Sequence, residues 1–237
     1  MRVALTIDTE QRSRPAGAAN AERQLDLLAR ERVRATFFVQ GRWASAHPRL
    51  ARRIADEGHL IGNHTYHHVP LSLMTDEGIR HTISRAEDVI VPRAGIETMR
   101  PWFRCPYGDG EDDDRVLAVI AALGYRNVAW DVDPKDWRPD RIAAEVVAAV
   151  VDGVREHGDE TKVLLHSWPD ATLGALPLLI EDLRAAGAQF VTIDELAPWW
   201  DGGPARPGPK GGDRASAGSR VRSTGDDDGA DDWKREP

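Results

Sequence analysis

The sequence predicts an α/β fold on a parallel sheet, either open or closed as a barrel. Three observations carry this reading. Seven short apolar runs lie between residues 3 and 193, most of them rich in β-branched or aromatic residues. Runs of that kind fit strands buried on both faces. Six stretches with helical spacing lie between them, so that strand and helix alternate through residues 1–200.

In chain order, the first strand is Val3–Ile7, inside an opening MRVALTIDTE that meets an acid after five apolar residues. That opening is too short for a signal peptide and reads as a core strand. A helix over Ala21–Glu31 and a strand over Ala35–Val39 follow. The helix Pro48–Glu57 has a proline where the first turn tolerates one, and Gly58 closes it. After the strand His59–Gly62 comes the long helix Asp76–Val91, then the strand Met99–Phe103. The acids Glu111–Asp114 suit the start of the helix Asp114–Leu123, which Gly124 ends. The strand Asn127–Trp130 leads to a helix Pro139–Val154, with Pro139 in its first turn. Val163–Leu165 is the sixth strand. Leu176–Ala186, with Pro177 near its start and Gly187 after it, is the last helix before the strand Phe190–Ile193. There is no internal repeat.

Composition narrows the classes. The chain has 237 residues, enough for one barrel to bury a large core without a disulfide or structural metal. Its 31 basic and 39 acidic residues give a net charge of −8, which argues against nucleic acid as a partner. The single cysteine, Cys105, excludes a disulfide framework and a cysteine-rich zinc site. No apolar run approaches the roughly 20 residues of a membrane span. The chain as it stands reads as cytoplasmic. Residues 201–237 contain 8 Gly, 4 Pro and 3 Ser, with 8 acidic and 7 basic residues. That stretch buries too little apolar surface to offset ordering, and it is expected to be a disordered tail behind a domain over 1–200. Trp199-Trp200, at the border, reads as a plug closing the barrel end, with a partner surface as the alternative.

In parallel α/β folds catalytic groups gather at the carboxyl ends of strands. Asp8-Thr9-Glu10 follows the first run and His64-Thr65-Tyr66-His67-His68 the third. Arg104-Cys105-Pro106-Tyr107-Gly108 follows the fourth, Asp131–Trp137 the fifth, and His166-Ser167-Trp168 the sixth. His64 and His68, four apart, would share one side of a helical turn. Imidazoles with a carboxylate are a common set for zinc and similar divalent ions, although a lone pair of surface histidines has the same spacing. Asp8 and Glu10 supply acids for such a site. His67 points elsewhere, and His59 is a core histidine. His166 is delivered by its strand and becomes a general acid if an aspartate of 131–136 raises its pKa. Arg104 calls for a carboxylate, and Asp8 is the nearest candidate in kind.

These motifs, in this order, resemble the polysaccharide deacetylases, the NodB-homology carbohydrate esterases, over about residues 1–200. The family's Thr-Phe-Asp-Asp-Gly resembles Thr6-Ile7-Asp8-Thr9-Glu10, and its His-Ser/Thr-x-x-His is matched in full by residues 64–68. Phe103–Gly108, Asp133–Trp137 and Leu164–His166 resemble the third, fourth and fifth motifs. The resemblance implies a distorted (β/α) barrel of about seven strands and a divalent metal ion, usually zinc. Carried over residue by residue, it implies Asp8 as base and His64 and His68 as metal ligands. It implies Arg104 as the group orienting the base and His166 as the acid, tuned by Asp133. Pro106, Tyr107 and Trp137 line the substrate groove. Two departures stand out. Thr9 replaces the family's second aspartate, so Glu10 is expected as the third ligand. Ser167-Trp168 replaces the usual Asp-Gly after the last histidine. The implied activity is metal-dependent removal of an N-acyl group from an amino sugar or other carbohydrate. The alternatives are a hydrolase of small non-peptide amides and a metal-free sugar-binding protein.

Overall fold

The computed structural model describes residues 1–10 and 16–196. The expectations for Trp199-Trp200 and for the tail fall outside these residues. The strands are β1 (Arg2–Thr9), β2 (Thr36–Val39), β3 (Leu60–Asn63), β4 (Trp102–Phe103), β5 (Arg126–Asn127), β6 (Thr161–His166) and β7 (Gln189–Phe190). The helices are α1 (Ala16–Glu31), α2 (Gly41–Ala46), α3 (Pro48–Asp56), α4 (Asp76–Ala94), α5 (Asp114–Ala122), α6 (Ala143–His157) and α7 (Asp170–Ala185).

The sheet runs β5-β4-β3-β2-β1-β6, and every pairing is parallel. β1 is its spine, buried from Val3 to Thr9. One edge pairs with β6 over Val3–Asp8. The other is shared by β2, over Thr6–Thr9, and β7, at Arg2–Val3. Beyond β5 the chain leaves β4, and Val132 bridges Val163 of β6. The Leu164 N–H donates to the Val132 carbonyl at 2.9 Å. That contact curls the sheet round into the distorted (β/α) barrel. Parallel pairing sends all strand C-termini to one end, which puts residues 8–10, 63–68, 104–107 and 166–168 side by side.

Each predicted strand and helix has an overlapping counterpart, although β5 and β7 share only Asn127 and Phe190 with the predicted runs and α1 begins at Ala16, before the predicted Ala21. Four further details differ. The short helix α2 follows β2 where no helical period was visible, because six residues are too few to display one. α6 starts at Ala143, not Pro139. Residues 138–141 close a separate turn, Arg141 N–H to Arg138 C=O at 3.1 Å, and Ile142 is extended. α7 starts at Asp170, so Pro177 lies inside it. The buried face of Leu176, Leu179, Ile180 and Leu183 holds that helix together despite the missing N–H. Finally, residues 64–68 form an irregular loop and not a helical turn, with Thr65 and His68 at φ 61° and 58°. His59 is buried in the core and accepts the Ala35 N–H at 3.1 Å.

Gly62 in β3 allows one close approach. A Cβ there would stand 2.6 Å from two atoms of the buried Phe38 ring. Gly62→Ala is therefore expected to lower unfolding stability by about 1–3 kcal/mol through overpacking. Urea denaturation checks this; an unchanged midpoint contradicts it.

Candidate active site

Strand alternation sorts the DTE segment. Side chains two apart share a face, so Asp8 and Glu10 turn inward together, and both are buried. Thr9 is buried on the opposite face, its hydroxyl 3.5 Å from the Ile7 carbonyl. In register, Asp8 lies level with Phe38 of β2 and His166 of β6.

Two buried carboxylates need partners, because an isolated charge is costly away from water. Asp8 finds Arg104, whose Nη1 donates to Oδ1 at 2.8 Å. The guanidinium is 1% exposed. Its Nε donates to the Val128 carbonyl at 3.0 Å, and its carbon sits 4.1 Å from the Phe38 ring centroid. The Arg104 side chain is thus fixed from three sides, and it fixes Asp8 in turn. The other carboxylate oxygen, Oδ2, faces His64 Nε2 at 3.5 Å.

Glu10 meets the histidines. Its Oε1 lies 2.9 Å from His68 Nε2 and 3.8 Å from His64 Nε2. Burial alone would raise Glu10; the two imidazoles beside it, His68 within hydrogen-bond distance and His64 further off, overcome this and hold it well below the usual carboxylate range. Burial likewise draws His68 toward its neutral form, against the pull of Glu10. His64 is fully buried, and its Nδ1 lies 2.9 Å from the Arg104 carbonyl, which can only accept. Nδ1 therefore carries the proton, and Nε2 presents a lone pair. That lone pair has no hydrogen-bond partner and faces two carboxylates. A cation between them resolves the conflict. Ligand atoms of Glu10, His64 and His68 all lie within 4.8 Å of one another, so the donor set fits a divalent metal ion.

The loop carrying the histidines is held by groups the motif reading did not single out. Asn63 is fully buried; its Oδ1 accepts the Thr65 N–H at 2.9 Å and its Nδ2 donates to the Ile83 carbonyl at 3.0 Å. The Thr65 hydroxyl accepts the His68 N–H at 3.0 Å. Of the six non-glycine residues at positive φ among the described residues, four (Thr65, His68, Tyr107 and Lys135) lie in the loops around this site, where sparsely populated backbone conformations tend to cluster.

His166 ends β6 beside the acids, its ring nitrogen grouped within 4.8 Å of Asp8 and Glu10 oxygens. Its carboxylate partner is Asp136, not Asp133. His166 Nδ1 stands 2.7 Å from Asp136 Oδ1, and the His166 N–H donates to Oδ2 at 2.7 Å. The Thr172 hydroxyl adds a third bond, to Oδ2 at 2.5 Å. Asp133 instead accepts the Lys135 N–H at 2.8 Å, closing a turn in which Lys135 takes φ 56°. That turn throws Asp136 inward. Spacing alone could not choose among three acids in six residues. Burial opposes the charged imidazole, yet the Asp136 charge and hydrogen bond push His166 up to about 9.

Pro106 is buried. Tyr107, 65% exposed, carries its ring 4.4 Å from the His68 ring. Trp137, 42% exposed, follows Asp136. Cys105 is buried, and burial pushes its thiol far up, so it is no nucleophile.

A profile described as polysaccharide deacetylase matches residues 1–128. Peptidoglycan-N-acetylglucosamine deacetylase of Bacillus cereus is 33% identical over 176 residues, 73% of this chain and 61% of its own length. Chitooligosaccharide deacetylase of a Bradyrhizobium species is 38% identical over 185 residues, 73% of this chain and 82% of its own. The chain thus spans less than two thirds of the first relative. Among solved structures, a family 4 acetyl xylan esterase from Clostridium thermocellum in complex with a cobalt ion is 31% identical, with a TM-score of 0.72 over 83% of this chain and 90% of that one. A CE4 family pseudoenzyme from Bacillus anthracis is 27% identical, with a TM-score of 0.72 over 82% of this chain and 64% of that one. No helix among the described residues is long and apolar enough to cross a membrane.

The Asp136–His166 pair yields a prediction for protein stripped of metal. A folded-state pKa near 9 against an ordinary 6.5 means charged His166 stabilises the fold fully below pH 6.5. That contribution is lost as pH rises through 9. The stability gap between the native chain and Asp136→Asn, measured by urea unfolding, should be wide at pH 6 and narrow toward pH 10. A gap independent of pH contradicts the pairing.

Proposed function

The chain belongs to the polysaccharide deacetylase family, and from that premise we propose that it is a hydrolase removing an acetyl group from the nitrogen of an amino sugar. Glu10, His64 and His68 would hold a divalent cation, zinc being the ion we expect. One observation carries the reading: Asp8 is tied through Oδ1 to Arg104 while its Oδ2 faces the same space as the His64 lone pair.

When bound there, the cation supplies a Lewis acid for the acyl oxygen and lowers the pKa of the attacking water. Asp8 takes the proton of that water on Oδ2, because Oδ1 stays bonded to Arg104. The water oxygen bonds to the acyl carbon, and the carbon–nitrogen bond then breaks. His166, charged at neutral pH through Asp136, gives its Nε2 proton to the departing nitrogen. The products are acetate and a free amine. Arg104 prevents Asp8 from rotating, and Thr172 does the same for Asp136. Tyr107 and Trp137 would offer partly exposed aromatic rings to the sugar, with the buried Pro106 next to Tyr107 in the chain.

The exposed aromatic rim favours a sugar over a small acyclic amide, which would leave it unused. The similarity to a pseudoenzyme keeps a binding-only function in view. The cluster of Glu10, His64 and His68 within 4.8 Å argues against it, since a protein that had abandoned its cation gains nothing from burying these groups together.

Acetate release from N-acetylglucosamine oligomers tests the proposal. Asp8→Asn keeps an acceptor for Arg104 and so keeps the fold, but loses the base; kcat should fall about 10²–10⁴-fold, with an unchanged circular dichroism spectrum. A near-native kcat removes Asp8 from that role. Chelation should abolish release and added zinc restore it; full activity in chelator contradicts metal dependence.

A further inference from the structure

The sequence has eight tryptophans, and five lie among the described residues. Trp43 and Trp102 are buried in the core. The other three, Trp130, Trp137 and Trp168, keep part of their surface exposed. All three lie on the segments that follow β5 and β6. Trp130 has its ring 5.5 Å from the Arg104 guanidinium carbon. Trp137 adjoins Asp136. Trp168 stands with its ring 5.9 Å from the His166 imidazole, tilted by 56°. It occupies ground where the family resemblance led us to expect Asp-Gly, so its indole is a feature of this chain.

The backbone beneath Trp168 is fastened from several directions. The Ser167 N–H donates to the Asp8 carbonyl at 3.0 Å. Gln24 of α1, fully buried, donates its amide to the His166 and Ser167 carbonyls at 3.3 and 3.1 Å. Asn20, one turn earlier, donates to the Trp168 carbonyl at 2.9 Å and to Asp170 Oδ1 at 2.8 Å. The backbone that carries the indole is thus fixed, unlike a flexible loop tip. A side chain presented from such a backbone orders on a ligand at smaller entropic cost.

We propose that Trp168 is a specificity-determining residue that stacks on the pyranose ring bearing the scissile amide. The inference rests on the deacetylase reading above and extends it to substrate choice. The chemistry fixes where the ring must be. His166 hands its proton to the amide nitrogen, and that nitrogen is bonded directly to the sugar. A side chain whose ring centre stands 5.9 Å from that of His166, at the same strand end, is near enough to meet the sugar that the proton donor serves. A pyranose presents a face of C–H groups, and an indole presents a broad polarisable face of negative potential that suits them. A small acyclic amide has no such face. Trp168 thus selects for the ring on the amine side of the bond, whereas the acyl side is left to other groups.

The test uses the full-length, zinc-loaded protein, with N-acetylglucosamine tetramer and 4-nitrophenyl acetate as substrates. Trp168→Ala should raise KM for the tetramer about tenfold or more while kcat changes less than about threefold. The ratio of kcat/KM on tetramer to that on the ester should fall about tenfold, and Trp168→Phe should restore most of it, since a smaller aromatic face remains. A loss in kcat alone, equal on both substrates, would overturn the proposal, because the indole then acts only by packing against His166. Unchanged KM in the alanine variant overturns it too. Calorimetric binding of the tetramer separates the two levels of the account. A native protein that binds the tetramer but releases no acetate contradicts the deacetylase reading. In that case an alanine variant that binds tetramer about tenfold more weakly still supports a sugar-stacking Trp168, and equal binding overturns it.

Discussion

Two carboxylates buried side by side on the central strand set the terms for everything around them. Asp8 and Glu10 are 4% and 6% exposed, and neither can stay charged there unless opposite charge or donors meet it. One is answered by an arginine from β4's end, the other by two imidazoles from β3's end, and the shared space between them suits a cation. His166 completes the ring of charge from β6. Remove the parallel sheet, and these groups, scattered over some 160 positions of sequence, have no reason to meet.

The fold delivers them through register more than through composition. β1 is long and buried, so its neighbours are forced into fixed levels: Phe38 and His166 beside Asp8, and Phe103 beside Asn63. One residue beyond that second level come His64 and Arg104, linked by the His64 Nδ1 contact to the Arg104 carbonyl. The same contact selects the imidazole tautomer that leaves Nε2 free to bind a cation. A backbone hydrogen bond at the end of a strand thereby sets the chemistry of a side chain.

Much of this was legible in the sequence, for identifiable reasons. The central strands announce themselves because strands buried on both faces are largely apolar, whereas β5, Arg126-Asn127, and β7, Gln189-Phe190, are short, half-exposed edges that the apolar runs overlap by only one residue each. Asp8 and Glu10 could be assigned to one face by period two alone, which also removes Thr9. The choice of Asp136 over Asp133 could not be read, because it depends on a turn at Lys135 whose positive φ has no signature in a lysine. Asn63, Thr172 and Gln24 were invisible for another reason: amides and hydroxyls in the core look like any polar residue until the groups they hold are known. Pro177 misled because a proline usually opens a helix, and only the buried face of α7 explains its tolerance.

The most direct test of the account is a crystal structure of the zinc-loaded protein with anomalous data collected on both sides of the zinc edge. The account predicts one strong peak in the space enclosed by Glu10, His64 Nε2 and His68 Nε2, beside an intact Asp8–Arg104 pair. A map without that peak, or with zinc bound elsewhere while Glu10 remains bonded to His68, would contradict it.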